Sequence, residues 1–185
     1  MANRLGDPTA KFLGRMSLNP IVHFDLMGLV MMIASGFRFG WAKPVPINPA
    51  NFRDWRQGMM LVSLAGPISN LMIASGAAVI FHVLPISGLH DADITLGYRF
   101  LYNMIFINCA LAFFNMIPLP PLDGSKVLIA LLPAHMENFA ISLERYGPMV
   151  LLGIIAIGFF TTLSPIWMLI GPFVQLAVSL FTGIS

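Results

Sequence analysis

Four long apolar stretches occupy most of the chain after its first third, and they constrain its fold more than any other feature. They are residues 58–84, 98–117, 146–164 and 165–183. A helix of about 20 apolar residues crosses the hydrocarbon core of a bilayer, and a helix satisfies its own backbone hydrogen bonds in lipid. The sequence therefore predicts an all-α polytopic membrane protein with about four transmembrane helices. The last two stretches meet at Ser164-Pro165 and could be two spans or one tight helical hairpin.

Charge supports a lipid environment. Only 10% of the 185 residues are charged, whereas about 25% is usual in soluble domains. The charged residues form no basic run and no basic stripe interleaved with aromatic residues, so nucleic-acid binding is excluded as a function class. The expected surroundings of most of the surface are the lipid bilayer.

The first third of the chain differs from the rest. Residues 1–57 are predicted to be loop with one short apolar segment, 26–37, which is too short to span and is therefore re-entrant, interfacial or packed. Residues 58–183 carry the transmembrane helices. We expect the two parts to form a single membrane-embedded domain over residues 1–185.

The distribution of Lys and Arg predicts the orientation in the membrane. The 38–56 loop contains four cations, whereas the 85–97 loop contains Asp91 and Asp93 and no cation. Because loops rich in Lys and Arg stay in the cytoplasm, the first loop is predicted to be cytoplasmic and the second to lie outside. The balance favours the inner membrane of a bacterium.

The segment from Asn115 to Gly124 is the most informative for chemistry. Three prolines end the preceding helix, and Asp123 stands where the next apolar run begins. A carboxylate at membrane depth is costly and pairs with a cation, a metal or a helix amino terminus. The alternative is that Asp123 is only the N-cap of the following helix, with Gly124 making the turn.

Two other polar features stand out. Gly66 and Asn70 are four residues apart and share one helix face, which favours close helix packing with the amide bridging to a neighbour; the same face could border a substrate cleft. His23 and Asp25 are two residues apart and would share one face of a strand. They could ligate a metal, move protons or hydrogen-bond within a loop, and a purely structural role is the alternative for His23.

Taken together, these motifs resemble the site-2 protease family of intramembrane zinc metalloproteases, in its compact prokaryotic branch. They follow the family order across roughly residues 2–150. The matching segments are Leu5-Gly6-Asp7-Pro8-Thr9-Ala10, Gly14-Arg15, Leu18-Asn19-Pro20 to Asp25, Gly40-Trp41-Ala42-Lys43-Pro44-Val45-Pro46, Ala65-Gly66-Pro67 with Asn70, and Asn115 to Gly124.

The resemblance implies a function and a set of site residues. In that family, zinc is held by two histidines of an HExxH helix and by the Asp of an LDG motif, which corresponds to Asp123. The substrates are transmembrane segments of membrane proteins. The residues expected to border the substrate groove or to pack beside it are Asn115, Pro118, Pro120, Gly66 and Asn70. His23 is expected close to the active site.

One departure from the family pattern is clear: no HExxH occurs in these 185 residues. In relatives, that motif immediately precedes the segment matching Ala2 to Asp7, so we expect the chain to be truncated at its amino terminus relative to the family. Asp123 alone cannot make the usual three-ligand zinc site, and the chain is expected to be inactive alone. A non-catalytic membrane protein that binds single-span partners is the alternative function. A transporter is disfavoured because no internal repeat is present.

Overall fold

The computed structural model describes residues 1–17, 19–34, 36, 42–43, 45–83, 91–161 and 164–183. Throughout this part of the chain the regular secondary structure is helical, apart from one isolated bridge between Phe24 and Ala42. The all-α prediction is therefore confirmed. The chain divides into two compact units, residues 1–59 and 60–185, which are described separately.

The α-helices of the described residues are α1 (Thr9–Phe12), α2 (Leu26–Ala34), α3 (Trp55–Val83), α4 (Asp91–Asn115), α5 (Asp123–Leu131), α6 (Glu137–Phe160) and α7 (Pro165–Thr182). Short 3-10 helices cover Ala2–Leu5, Pro20–His23, Pro49–Asn51 and Ala134–Met136. Within the described residues, four segments are long and apolar enough to cross a membrane: Trp55–Val83, Leu96–Asn115, Ala134–Gly158 and Pro165–Thr182. The predicted number of spans is confirmed.

The four spans turn most of their apolar surface outward. Only 11% to 28% of the residues in their most apolar stretches are buried inside the protein. An apolar surface of this extent is stable in hydrocarbon but not in water. The protein is therefore an integral membrane protein.

Helix ends differ from the sequence-based boundaries. Helix α4 begins at Asp91, so the predicted 85–97 loop is helical from that residue on, and residues 84–90 lie outside the described part. Helix α6 begins at Glu137 rather than at 146. Hydropathy identifies the apolar run but not the ends of the helix. An acidic residue such as Glu137 is favourable in a first helical turn. The last two apolar stretches form two separate helices.

The second unit, residues 60–185, is held together by α4, α7 and the small residues of α3. Ile105, Cys109 and Val174 are fully buried in this core. Aromatic side chains join α4 to α7, with the ring centroids of Phe113 and Phe173 6.0 Å apart. The alanines that α3 contributes, Ala74, Ala77 and Ala78, are buried. Small residues let helices approach closely in membranes.

Apart from the first residues of α3, the described part of the first unit, residues 1–59, contains only short helices. Helix α2 has nine residues and is therefore about 14 Å long, which is less than half of the roughly 30 Å of hydrocarbon in a bilayer. This length agrees with the prediction that segment 26–37 does not span, although residues 35 and 37 lie outside the described part.

Asp7 links the amino-terminal part of the first unit to the turn near its carboxyl-terminal end. Its carboxylate is fully buried and accepts hydrogen bonds from the amides of Thr9 and Asn48, at 3.1 and 2.9 Å, and from Asn51 Nδ2 at 2.8 Å. Burial alone would raise the pKa of Asp7, but these hydrogen bonds and that from the Thr9 hydroxyl outweigh it and lower the pKa to about 2. The segment around residues 7–9 is thus fixed to the turn at 48–51.

Candidate metal and substrate site

Asp123 is presented at the end of a membrane span. Helix α4 ends at Asn115, the chain turns through a segment that contains a cis Pro120-Pro121 peptide, and α5 begins at Asp123. The residue in the N-cap position is Leu122, and no side chain caps this helix. Asp123 is therefore the first helical residue and not the N-cap, and its carboxylate does not cap the helix.

The start of α5 rests directly on the end of α4. A Cβ atom at Gly124 would overlap the main-chain carbonyl of Met116, so only glycine permits this approach. Pro120 is similarly buried against Gly147 of α6, where a Cβ atom would overlap the proline ring. The position of Asp123 is consequently fixed by α4 and α6 together, and the sequence motif did not reveal the contribution of Gly147.

The structure brings two of the sequence motifs together. A Cβ atom at Gly66 in α3 would lie 3.3 Å from Oδ2 of Asp123. The absence of a side chain at residue 66 therefore leaves space beside the carboxylate. Asn70 lies one turn further along α3 and is half-buried. Its amide makes no hydrogen bond to any residue in the described part of the chain, so the predicted amide bridge is not present there.

The Asn115 to Pro120 segment offers both polar and apolar surface. Asn115 Nδ2 donates a hydrogen bond to the Leu111 carbonyl at 2.9 Å, which leaves its side-chain oxygen available. Pro118 is exposed, whereas Pro120 is buried. Beside Pro118, an apolar cavity of about 290 Å³ opens between α4 and α7, with Phe113 and Ile170 in its wall.

Lys126 is a neighbour of Asp123 that the sequence motifs did not single out. Its Nζ lies 3.5 Å from Oδ1 of Asp123, and the two side chains are 37% and 32% exposed. Residues three apart on a helix face each other, so the spacing itself was a usable signal. Lys126 is therefore a cationic partner of this carboxylate, and a cation is one of the partners expected for a carboxylate at membrane depth.

His23 and Asp25 both make local contacts in the first unit. His23 Nε2 is 2.9 Å from the Ser17 carbonyl oxygen, and Asp25 accepts a hydrogen bond from the amide of Gly28 at 2.9 Å in the first turn of α2. The strand that would place both side chains on one face does not form, because His23 ends a 3-10 helix. Of the matched segments, Leu18, Gly40, Trp41 and Pro44 lie outside the described residues.

The donor set falls short of a complete zinc centre. Among the residues described here, no group of three or more His, Cys, Asp or Glu side chains could hold one metal ion. A catalytic zinc needs three protein ligands, and Asp123 provides one carboxylate. These residues by themselves therefore do not fit the metal.

Comparison with known proteins places these features in a family. A sequence model of Peptidase family M50 matches residues 86–157. The chain is 36% identical over 157 residues to the "Putative zinc metalloprotease YwhC" of Bacillus subtilis (strain 168), across 82% of this chain and 69% of that protein. It is 32% identical over 77 residues to the "Zinc metalloprotease MJ0392" of Methanocaldococcus jannaschii, across 42% of this chain and 21% of that protein.

No solved structure matches the chain significantly. The relatives are named as zinc metalloproteases, and zinc is accordingly the metal of the family. The extent of the match to the Bacillus protein, together with the family match over α4, α5 and most of α6, settles the assignment. This chain is a member of peptidase family M50, the site-2 protease family.

Proposed function

We propose that the protein is an intramembrane zinc metalloprotease of the site-2 type that cleaves transmembrane segments of membrane proteins. The observation that carries the proposal is the juxtaposition of Asp123 with Gly66, because it sets a partly exposed carboxylate beside a residue without a side chain, at the end of a membrane span. The proposed setting is the inner membrane of a bacterium, with the loop before α3 in the cytoplasm.

In this proposal Asp123 is the carboxylate ligand of the metal. Zinc, when bound, lowers the pKa of a coordinated water and polarises a carbonyl group. Asn115 and Pro118 are proposed to hold the substrate strand, because the side-chain oxygen of Asn115 is available and Pro118 is exposed beside it. The 185 residues contain no His-Glu-x-x-His, so we propose that they are inactive alone, and His23 has no assigned role.

The direct test replaces Asp123 in the protein as its own cell makes it. The protein is purified from native membranes through a tag at the carboxyl terminus, zinc is measured by mass spectrometry, and cleavage of a single-span reporter is followed. Asp123→Asn removes the charge at nearly constant volume and is expected to abolish both zinc retention and cleavage. Glu144→Gln is the matched control, because Glu144 is an exposed carboxylate on α6 and should behave like the unmodified protein.

The alternative function is a non-catalytic membrane protein that binds single-span partners. It is favoured by two observations, namely that Asp123 is paired with Lys126 and that no three-ligand cluster exists in the described part of the chain. This function predicts a zinc-free protein that crosslinks to a single-span reporter without cutting it. Cleavage that survives Asp123→Asn would remove Asp123 from the proposed mechanism.

A further inference from the structure

A polar cavity of about 350 Å³ lies in the first unit, residues 1–59. One wall is formed by the first 3-10 helix and the other by the segment that enters α3. The lining residues used below are Arg4, Gly6, Phe52, Arg53, Asp54 and Gln57.

Two of the residues that line this cavity are arginines, Arg4 and Arg53. Arg4 and Arg53 are both exposed, and neither guanidinium group makes a hydrogen bond or an ion pair with any residue that the structure describes. A guanidinium presents several donors in a rigid fork that matches the oxygens of a phosphate. Two guanidinium groups in the lining of one cavity of this volume provide hydrogen-bond donors suited to a tetrahedral anion.

The acidic residue of the cavity is already engaged. The carboxylate of Asp54 accepts hydrogen bonds from the amides of Arg56 and Gln57, at 2.9 and 3.2 Å, in the first turn of α3. The cavity therefore keeps a net charge of about one positive unit. It also lies in a basic unit, since residues 1–59 contain seven Lys and Arg against three Asp.

The cavity lies at the level where lipid phosphates are found. Arg53 and Gln57 flank Trp55, the first residue of the 29-residue helix α3, and the beginning of a membrane span lies at headgroup depth. The guanidinium of Arg56 is 5.5 Å from the centroid of the Trp55 ring, and Trp is enriched at membrane interfaces. The loop before α3 is also the one whose cations predict a cytoplasmic position, on the side of anionic lipids.

The two walls are held at a fixed separation by Asp7. Its carboxylate binds the amide of Thr9 on one side and the amide of Asn48 and the side chain of Asn51 on the other. Gly6 lies with φ +108°, and a Cβ atom there would be 2.9 Å from the Asn51 carbonyl oxygen. A receptor that is already ordered binds without the entropy loss of ordering its walls.

We propose that this cavity binds a phosphate group through Arg4 and Arg53. Phosphate chemistry could come from the headgroup of an anionic phospholipid or from free phosphate. The site is independent of proteolysis, so its test does not depend on the proposed function.

The test titrates the intact protein in detergent with three ligands: short-chain phosphatidylglycerol, short-chain phosphatidylcholine and inorganic phosphate. Arg4→Gln and Arg53→Gln are compared with Arg56→Gln, which removes the same charge from a residue outside the cavity wall. Each of the first two should weaken phosphatidylglycerol binding about tenfold, the size expected for losing a hydrogen bond to a charged group. Arg56→Gln should leave binding unchanged.

Each outcome decides the matter. Phosphatidylglycerol binding that depends on both arginines and exceeds phosphatidylcholine binding supports the site and identifies a lipid as its source. The same arginine dependence with inorganic phosphate alone supports the site and identifies free phosphate. Equal affinities for every ligand in all three variants would overturn the proposal. Arg53→Lys, which keeps the charge and loses the fork, guards against misfolding and should bind with intermediate affinity.

Discussion

At the scale of single residues, the site depends on the absence of a side chain at Gly66 as much as on the carboxylate of Asp123. Lys126 approaches one oxygen of the carboxylate, at 3.5 Å, and the bare backbone of Gly66 faces the other. No side chain at residue 66 therefore crowds this oxygen of Asp123 from the α3 side. The proximity of Asp123 therefore favours glycine at residue 66 for a reason separate from helix packing.

Gly66→Ala should disturb the site while preserving the fold. The added methyl group would lie 3.3 Å from Oδ2 of Asp123, so the carboxylate must move by a few tenths of an ångström. We expect zinc retention and reporter cleavage to fall on the order of tenfold, as for other changes beside a metal ligand. Gly76→Ala is the matched control in the same helix, because a Cβ atom at Gly76 meets nothing. Equal activity in the two variants would contradict this account of Gly66.

Asp7 gives a pH dependence that can be measured. Its pKa is lowered from 3.8 to about 2 in the folded protein, so its contribution to stability is complete above pH 4 and is lost as the pH falls through 2. We expect Asp7→Asn to lower the melting temperature at pH 7 and to flatten the decline of the melting temperature between pH 4 and 2. Glu144→Gln serves as the control in thermal melts. A pH profile unchanged by Asp7→Asn would exclude this role.

At the scale of secondary-structure elements, the short helix α5 is positioned by glycine and proline contacts rather than by its own length. It has nine residues, and a helix of that length is marginal in isolation. Gly124 rests on the Met116 carbonyl, and Pro120 rests on Gly147. The end of α4 and the middle of α6 therefore determine where α5 begins.

Gly124→Ala should destabilise this junction. The new methyl group would overlap main-chain atoms that cannot rotate away, and overpacking of this kind costs about 1–3 kcal/mol in the free energy of unfolding. Gly153→Ala on α6, where a Cβ atom meets nothing, should be neutral or slightly stabilising, since alanine is the better helix former. Denaturant unfolding in detergent measures both, and equal midpoints would contradict the close approach.

The sequence predicted the elements better than their ends. Long apolar runs identified all four spans because hydropathy reflects the lipid environment directly. The start of α6 at Glu137 was missed because polar and charged residues interrupt the apolar ones in its first turns, so no continuous apolar run begins there. In the same way, the sequence motifs singled out Gly66 and Asp123 separately, but their contact depends on how α3 packs against the start of α5, which no local pattern encodes.

At the scale of the whole molecule, charge is distributed unevenly along the chain. Residues 1–59 carry a net charge of +4 and residues 60–185 a net charge of −2. Lys and Arg determine which loops remain in the cytoplasm. The orientation is predicted from the four cations of the 38–56 loop and the absence of cations from 85–97, and the expectation of a single domain stays a prediction.

Orientation can be read with single cysteines. Cys109 is buried, and Cys109→Ala provides a cysteine-free background. In that background we expect Asn138→Cys to react with an impermeant maleimide only from the cytoplasmic side, and Asp93→Cys only from the opposite side. Labelling of both from the same side would contradict the predicted topology, and labelling of each from the side opposite to its predicted one would invert it.

The contacts of Gly124 and Gly147 have a consequence for the membrane itself. Because α5 is packed against the end of α4 and the Pro120 turn against α6, we expect the backbone at Asp123 to follow any tilt of those two helices. Transmembrane helices adjust their tilt to the thickness of the hydrocarbon layer. The acyl-chain length of the surrounding lipids thereby becomes a variable that sets the position of the carboxylate.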